Sequence, residues 1–369
     1  MTEMAALFDP LTIGNLALRN RIVMAPMTRG MSPCGVPGDD VARYYARRAE
    51  GGVGLIITEG TVVDHPSSSS RDDLPHFYGE PALAGWAEVV HGVHAHGAAI
   101  VPQLWHVGWD PMHWGGKTFD RPAPYPSSPS GIDPSGTAIQ DPMSLRDITD
   151  VVNGFASAAK TAQKLGFDGI ELHAAHGYLI DQFLWQETNR RTDEFGGRSV
   201  RERARFAIAI VEACRAEVGP DFPIILRLSQ WKVGQYQARL ADTPDELAEL
   251  VEPLAEAGVD VFHCSQRRFW QPEFDGSPLN LAGWTRKLSG QPTITVGSVG
   301  LEDSDFLTYL DGGGAAPSDV DDVCKRLHDN QFDLVAVGRA LVANPDWPRL
   351  IERQQRTRPF DAAMLDTLV

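Results

Sequence analysis

The chain has 369 residues, is 43% apolar and 22% charged, and carries a formal net charge of −16. That length suits one large domain or two ordinary ones, and the acidic balance argues against nucleic acid or an anionic membrane surface as a partner, because a basic face is their usual footprint. No apolar run approaches the ~18 residues of a spanning helix, MTEMAALFDPL lacks a basic stretch followed by an apolar core, and the four cysteines form no C-x-x-C pair, so a reduced, cytoplasmic protein without a zinc ribbon or disulfide framework is expected.

In chain order, LTIGNLALRN from Leu11 alternates apolar and polar around Gly14-Asn15 and predicts a hairpin. Eight runs rich in Val, Ile and Leu follow, each almost wholly apolar until its C-terminal end. The first four are RIVMAPM from Arg21, GLIITEG from Gly54, AAIVPQLW from Ala98 and GIELHAAH from Gly169. The others are PIILRLS from Pro223, VDVFHCS from Val259, TITVGSV from Thr293 and LVAVGRAL from Leu334. Such runs read as strands buried on both faces of a parallel sheet.

Helical patterns separate them. SLRDITDVVNGFASAAKTAQKLG ends at Gly166. SVRERARFAIAIVEACRAEVG opens on Ser199 and Glu202, a capping-box pair, repeats apolar residues at Phe206, Ile210, Cys214 and Val218, and stops at Gly219. TPDELAELVEPLAEAG has Thr243 as cap, Pro244 at the first helical position and Gly258 as terminator. Strand and helix in eightfold alternation predict a (β/α)8 TIM barrel. The doubly wound alternative would need G-x-G-x-x-G after an early strand, and none of the runs has it. The expectation is a single domain over residues 1–369, with the barrel at about 20–350, the hairpin capping its bottom, and a tail at 351–369. A long Pro-, Gly- and Ser-rich loop after the third strand would cover its top.

Catalytic residues in such a barrel sit at the C-terminal strand ends. Seven of the eight ends carry candidates: Pro26-Met27-Thr28, Glu59-Gly60, Gln103 to Trp105, His173 with His176 and Tyr178, Arg227 with Ser229, Gly297-Ser298, and Gly338-Arg339. The last two loops fit a phosphate site. Gly297 and Gly300 let backbone N–H groups approach an anion, and Arg339 adds a guanidinium that grips phosphate through two hydrogen bonds. Arg227 lies inside an apolar strand and needs a partner. That partner is either an internal carboxylate, Glu171 or Glu59, or an electron-rich part of a cofactor. In ELHAAHGYLIDQFL, His173 and His176 fit a metal site, a proton-handling site or plain burial. H-x-x-H at a strand end lacks the helical H-E-x-x-H spacing and has no evident third ligand, so no metal is expected.

In these residues the chain resembles the old yellow enzyme family of flavin-dependent ene-reductases, which includes the 12-oxophytodienoate reductases. The matching stretches are APMTR from Ala25, TEGT from Thr58, QLWHVGW from Gln103, ELHAAHGYLIDQFL from Glu171, TNRRTDEFGGRS from Thr188, LRLS from Leu226, VGSVG from Val296 and VAVGRALVANPDW from Val335. They occur in family order. The resemblance implies non-covalent FMN at the mouth, NAD(P)H as reductant, and an enone-type small molecule whose activated C=C is reduced. It implies that Pro26, Met27 and Thr28 flank the flavin ring, that Gly60 and Gln103 contact its pyrimidine edge, and that Arg227 is the cation near N1. It makes Gly297, Ser298, Gly338 and Arg339 the phosphate clamp, His173 and His176 the pair that binds the substrate oxygen, and Tyr178 the proton donor. Trp105 and Tyr78 would line the substrate pocket.

The chain departs from the pattern in places. Thr28 stands where one branch of the family carries Cys, Leu310–Gln331 is longer than expected, and Gly108–Pro126 and Ser265–Phe274 are unfamiliar in detail. No cysteine cluster follows the barrel, which disfavours the iron–sulfur relatives. A metal-dependent hydrolase using the His pair, and within the family a nitroester or quinone reductase, are the alternatives. The nicotinamide preference is left open, and so is the choice between monomer and homo-oligomer.

Overall fold

Each of the eight apolar runs forms a strand of one closed barrel. A computed structural model describes residues 3–69, 71–109, 127–302 and 312–368. Strands β1 (Leu11–Ile13) and β2 (Leu16–Leu18) make the antiparallel N-terminal hairpin. The barrel consists of β3 (Ile22–Met24), β4 (Leu55–Val62), β5 (Ala99–Trp105), β6 (Ile170–His176), β7 (Ile224–Lys232), β8 (Val261–Ser265), β9 (Thr293–Val296) and β10 (Leu334–Val337). They close in chain order, β10 pairing with β3, and every neighbouring pair is parallel.

The hairpin plugs the bottom, as expected. Ile13, Leu16 and Leu18 join Val23, Leu55, Ala99, Val101, Ile225, Val261, Ile294, Leu334 and Ala336 in one apolar cluster. Since side chains alternate along a strand, the next inward positions above Val101, Ile225 and Val261 are Gln103, Arg227 and His263. A polar belt therefore begins directly on top of the apolar plug.

The outer helices start and stop where the capping chemistry predicts. On α1 (Asp39–Glu50), Tyr44, Tyr45 and Ala49 are buried, and on α2 (Glu80–His94) Trp86, Val89 and Val93 are. Ser144 and Asp147 form a capping box at the start of α3 (Leu145–Lys164), and Gly166 leaves the helix with φ 83°. The pattern at Ser199 reads as one helix, but there are two: α4 (Leu179–Leu184) is followed by α5 (Val200–Arg203) and α6 (Arg205–Val218). The break at Ala204 falls where the buried Arg203 guanidinium turns to donate to the carbonyls of Leu184 at 2.7 Å and Arg198 at 2.6 Å. Thr243 and Glu246 cap α7 (Pro244–Ala257), which ends at Gly258 in a left-handed conformation. Asn280 caps α8 (Leu281–Ser289).

The last helices are α9 (Asp321–His328), α10 (Arg339–Ala343) and α11 (Trp347–Glu352). Helix α9 occupies part of the long Leu310–Gln331 segment, of which residues 310 and 311 lie outside the described residues. So does most of Gly108–Pro126. Among the described residues no helix is long and apolar enough to cross a membrane.

Candidate active site at the barrel mouth

Two strands run past the ends read from sequence, and both carry site residues. β4 continues two residues beyond Gly60 to Val62, and β7 continues beyond Ser229 to Lys232. The extra length of β7 is taken up at a bulge: Ala174 pairs with Leu228, but His176 pairs with Lys232. There His176 adopts φ 66°, a left-handed conformation uncommon outside glycine, and Gly177 follows at 87°. The backbone turns sharply and brings Tyr178 back over the strand end.

The turn assembles four rings. The His173 centroid lies 5.2 Å from that of His176, 5.0 Å from Tyr178 and 5.8 Å from Trp105. Trp105 meets Tyr178 edge-on at 4.7 Å. Tyr78, stacked on His76 at 4.6 Å, packs on the cluster of Val62, Leu74, Trp105, Val107 and Tyr178. Gly60 makes room for this wall, since a β-carbon there would come within 2.3 Å of the Trp105 indole.

Beneath the rings lies the polar belt. Gln103 donates from Nε2 to Glu171 at 2.7 Å, and the other Glu171 oxygen lies 2.6 Å from Nδ1 of His263. Glu59, the second carboxylate considered as a partner for Arg227, instead accepts the backbone N–H groups of Arg29 at 2.9 Å and Gly30 at 3.1 Å. Burial raises the Glu59 carboxyl to about 7, against those two donors. No hydrogen bond joins Arg227 to either carboxylate among the described residues, so Glu171 favours its charge only through space, and its buried Nε meets no hydrogen-bond partner among the described residues. Register places it in one row with His173 on β6 and His263 on β8. Burial first, and then the Arg227 charge, hold both His173 and His176 well below the usual histidine range, so both are neutral at pH 7.

The loops after β9 and β10 lie side by side because those strands pair through Thr295–Val335 and Val296–Ala336. Gly297, Ser298 and Gly300 have φ of 145°, 54° and 72°. A β-carbon on Gly297 would come within 2.6 Å of the Gln266 carbonyl oxygen, so that position has room only for glycine. The Ser298 hydroxyl donates to the Arg267 carbonyl at 3.2 Å. Gly338 faces Met27, whose sulfur would be 3.5 Å from a β-carbon there. The Arg339 guanidinium lies 5.7 Å from the Phe360 ring centre. Pro26 is buried, Met27 half-buried and Thr28 exposed on the mouth side of β3. Arg29 donates to the carbonyls of Met364 at 3.3 Å, Leu365 at 3.1 Å and Thr367 at 2.7 Å, tying the C-terminal segment to this loop.

Two features fit FMN. The Nε of buried Arg227, unpartnered among the described residues, suits an electron-rich ring edge, since an unpaired buried donor is costly. The left-handed Gly297-Ser298 turn presents backbone N–H groups as anion-binding turns do.

Sequence reasoning passed over the sixth barrel strand. β8 supplies His263 to Glu171 and Ser265 to His176, whose Nε2 lies 2.8 Å from the Ser265 hydroxyl. All eight strand ends therefore contribute. The signal was an inward histidine in VFHCS. Trp231, stacked 4.4 Å from His176, and the buried Asp181–Lys232 ion pair were also missed. Among the described residues, no group of three His, Cys, Asp or Glu side chains is arranged to hold a metal ion.

A sequence profile of the NADH:flavin oxidoreductase / NADH oxidase family matches residues 6–358. The chain is 35% identical over 364 residues to an NADH oxidase of Thermoanaerobacter brockii, a match covering 95% of this chain but only 51% of that protein. It thus spans about half the length of that relative. To 12-oxophytodienoate reductase 1 of Oryza sativa subsp. japonica it is 32% identical over 368 residues, covering 98% of this chain and 90% of that one. Its fold superposes on morphinone reductase, solved in complex with tetrahydroNAD, with a TM-score of 0.79 and 30% identity, covering 97% of this chain and 93% of that chain.

Proposed function

The chain belongs to the NADH:flavin oxidoreductase / NADH oxidase family, the old yellow enzyme family whose members use non-covalent FMN with NAD(P)H as reductant, and from that premise we propose that it is an ene-reductase acting on the C=C bond of α,β-unsaturated carbonyl or nitro compounds. The observation that carries this reading is the cluster of two neutral imidazoles, one phenol and one indole beside the buried guanidinium of Arg227.

Pro26, Met27, Thr28, Gly60, Gln103 and Arg227 would hold the flavin ring, and Gly297, Ser298, Gly338 and Arg339 its phosphate. When bound, FMN supplies hydride transfer from the nicotinamide to the alkene carbon β to the activating group. Negative charge then develops on the substrate oxygen. Neutral imidazole presents one N–H. With Nε2 of His176 committed to Ser265, Nδ1 is the nitrogen left for the substrate. His173 brings a second ring, whose Nδ1 is buried and meets no partner among the described residues, which leaves Nε2 for the substrate. Two preorganised donors at a developing oxyanion contribute about 2–4 kcal/mol each. Tyr178, one residue past the turn, delivers a proton to the carbon α to that group, as a phenol that is protonated at neutral pH can. Trp105 and Tyr78 wall the pocket and exclude water.

We also read the protein as a single cytoplasmic domain. No observation favours the hydrolase alternative. The deciding experiment is purification and a visible spectrum, followed by anaerobic titration with NADPH or NADH and reoxidation by a panel of enones and nitroalkenes. Flavin bleaching by nicotinamide with no recovery on adding any alkene overturns the reading.

A further inference from the structure

Asp181 and Lys232 are 0% and 1% exposed, and their charged atoms meet at 2.8 Å. A buried ion pair is often no more stabilising than a well-packed apolar pair, so its place in the fold calls for another reason. Its contacts supply one. The second Asp181 oxygen accepts the N–H of Gly177 at 2.7 Å. Lys232 Nζ donates to the carbonyls of Gln230 at 2.9 Å and Ser229 at 3.3 Å. The Ser229 hydroxyl in turn accepts the N–H of His176 at 2.9 Å, and the N–H of Val233 donates to the His176 carbonyl at 3.1 Å. The pair is therefore bonded on one side to the residue between His176 and Tyr178, and on the other to the strand end that holds His176. A left-handed non-glycine residue such as His176 persists only where its surroundings over-determine it, and these bonds do so.

We propose that the Asp181–Lys232 pair positions the His176–Gly177–Tyr178 turn, setting where imidazole and phenol stand, and so supports the alkene-reducing half of the reaction selectively. The proposal rests on the roles given above to His176 and Tyr178. The ammonium is what fixes the carboxylate: with one oxygen on Lys232, the other faces Gly177. An asparagine at 181 has a single oxygen. The buried ammonium would claim it and turn the amide N–H2 against the Gly177 N–H. Removing the ammonium as well would return that oxygen to Gly177.

The test uses FMN-loaded parent, Asp181→Asn and Asp181→Asn/Lys232→Met. Both half-reactions are followed by stopped flow, with NADPH or NADH and with 2-cyclohexenone, and 4-chlorophenol is titrated by its long-wavelength absorption with oxidised flavin. In Asp181→Asn, reoxidation by the enone is expected to slow at least tenfold and the phenol Kd to rise at least fivefold, with nicotinamide reduction within threefold of the parent. The double variant is expected to recover both to within threefold. An unaffected single variant, equal loss in both half-reactions, or a double variant no better than the single overturns the proposal. Should Asp181→Asn fail to accumulate loaded with flavin, the double variant decides: a tenfold loss in it overturns the proposal, and near-parental behaviour supports it. A parent that no alkene reoxidises refutes the functional reading instead, and the phenol titration then decides the positioning claim.

Discussion

The hydroxyl of Ser265, at the end of β8, lies 2.8 Å from Nε2 of His176, at the end of β6, two strands away around the barrel. This bond selects which imidazole nitrogen is left for a ligand. Ser265→Ala would free the ring to rotate. The affinity for phenols is expected to fall about fivefold to twentyfold, about 1–1.8 kcal/mol, the size of one hydrogen bond. Visible titration with 4-chlorophenol reads it, and an unchanged Kd removes Ser265 from the role.

Tyr178 stands 4.7 Å from Trp105 and 5.0 Å from His173, ring centre to ring centre. Tyr178→Phe keeps that packing and removes only the hydroxyl. Flavin reoxidation by an enone is expected to slow 10²–10⁴-fold, the span of general-acid contributions, while reduction by the nicotinamide changes little. Equal loss in both half-reactions contradicts the proton-donor assignment.

Gly297 combines φ 145° with a β-carbon site 2.6 Å from a backbone oxygen. Gly297→Ala therefore has to move the β9 loop. FMN is expected to bind with a Kd at least tenfold higher, while the apoprotein keeps its far-ultraviolet circular dichroism. Fluorescence titration of the apoprotein with FMN measures this, and parental affinity would exclude the loop from the phosphate clamp.

Glu59 gives a pH test with a definite sign. Its folded pKa, about 7, lies above the ordinary glutamate value of 4.5. The folded state thus holds the proton more tightly than the unfolded chain. The stability this contributes is full below about pH 4.5 and is lost as pH rises through 7. Between pH 5.5 and 8 the loss is about 2 kcal/mol. Glu59→Gln cannot ionise, so the unfolding free energy of the variant minus that of the parent is expected to rise by about that amount over this range. Denaturant titration at the two pH values measures it, and a constant difference refutes the assignment. The buried histidines work in the opposite sense, and subtracting the parent removes them.

Much of the barrel was legible because its signals are local. A strand buried on both faces must be apolar along its length, and Ser144, Ser199 and Thr243 cap their helices through residues only three positions away. The strand-end positions that carry the candidate residues were legible for the same reason. What escaped was non-local. Ser265 and His176 are 89 residues apart, and His263 and Glu171 are 92 apart, so nothing in either neighbourhood announces the contact. β7 was cut short at Ser229 because Gln230, Trp231 and Lys232 lack the apolar pattern. The strand continues because the bulge at His176 gives Lys232 a partner across the sheet.

Arg29 follows Thr28 directly and grips three carbonyls of the C-terminal segment through one nitrogen, Nη2. The C-terminal segment, already paired with the barrel through Phe360 and Ala315, is thus coupled directly to the loop after β3 by one side chain. A purification handle or surface anchor fused after Val369 would load that joint.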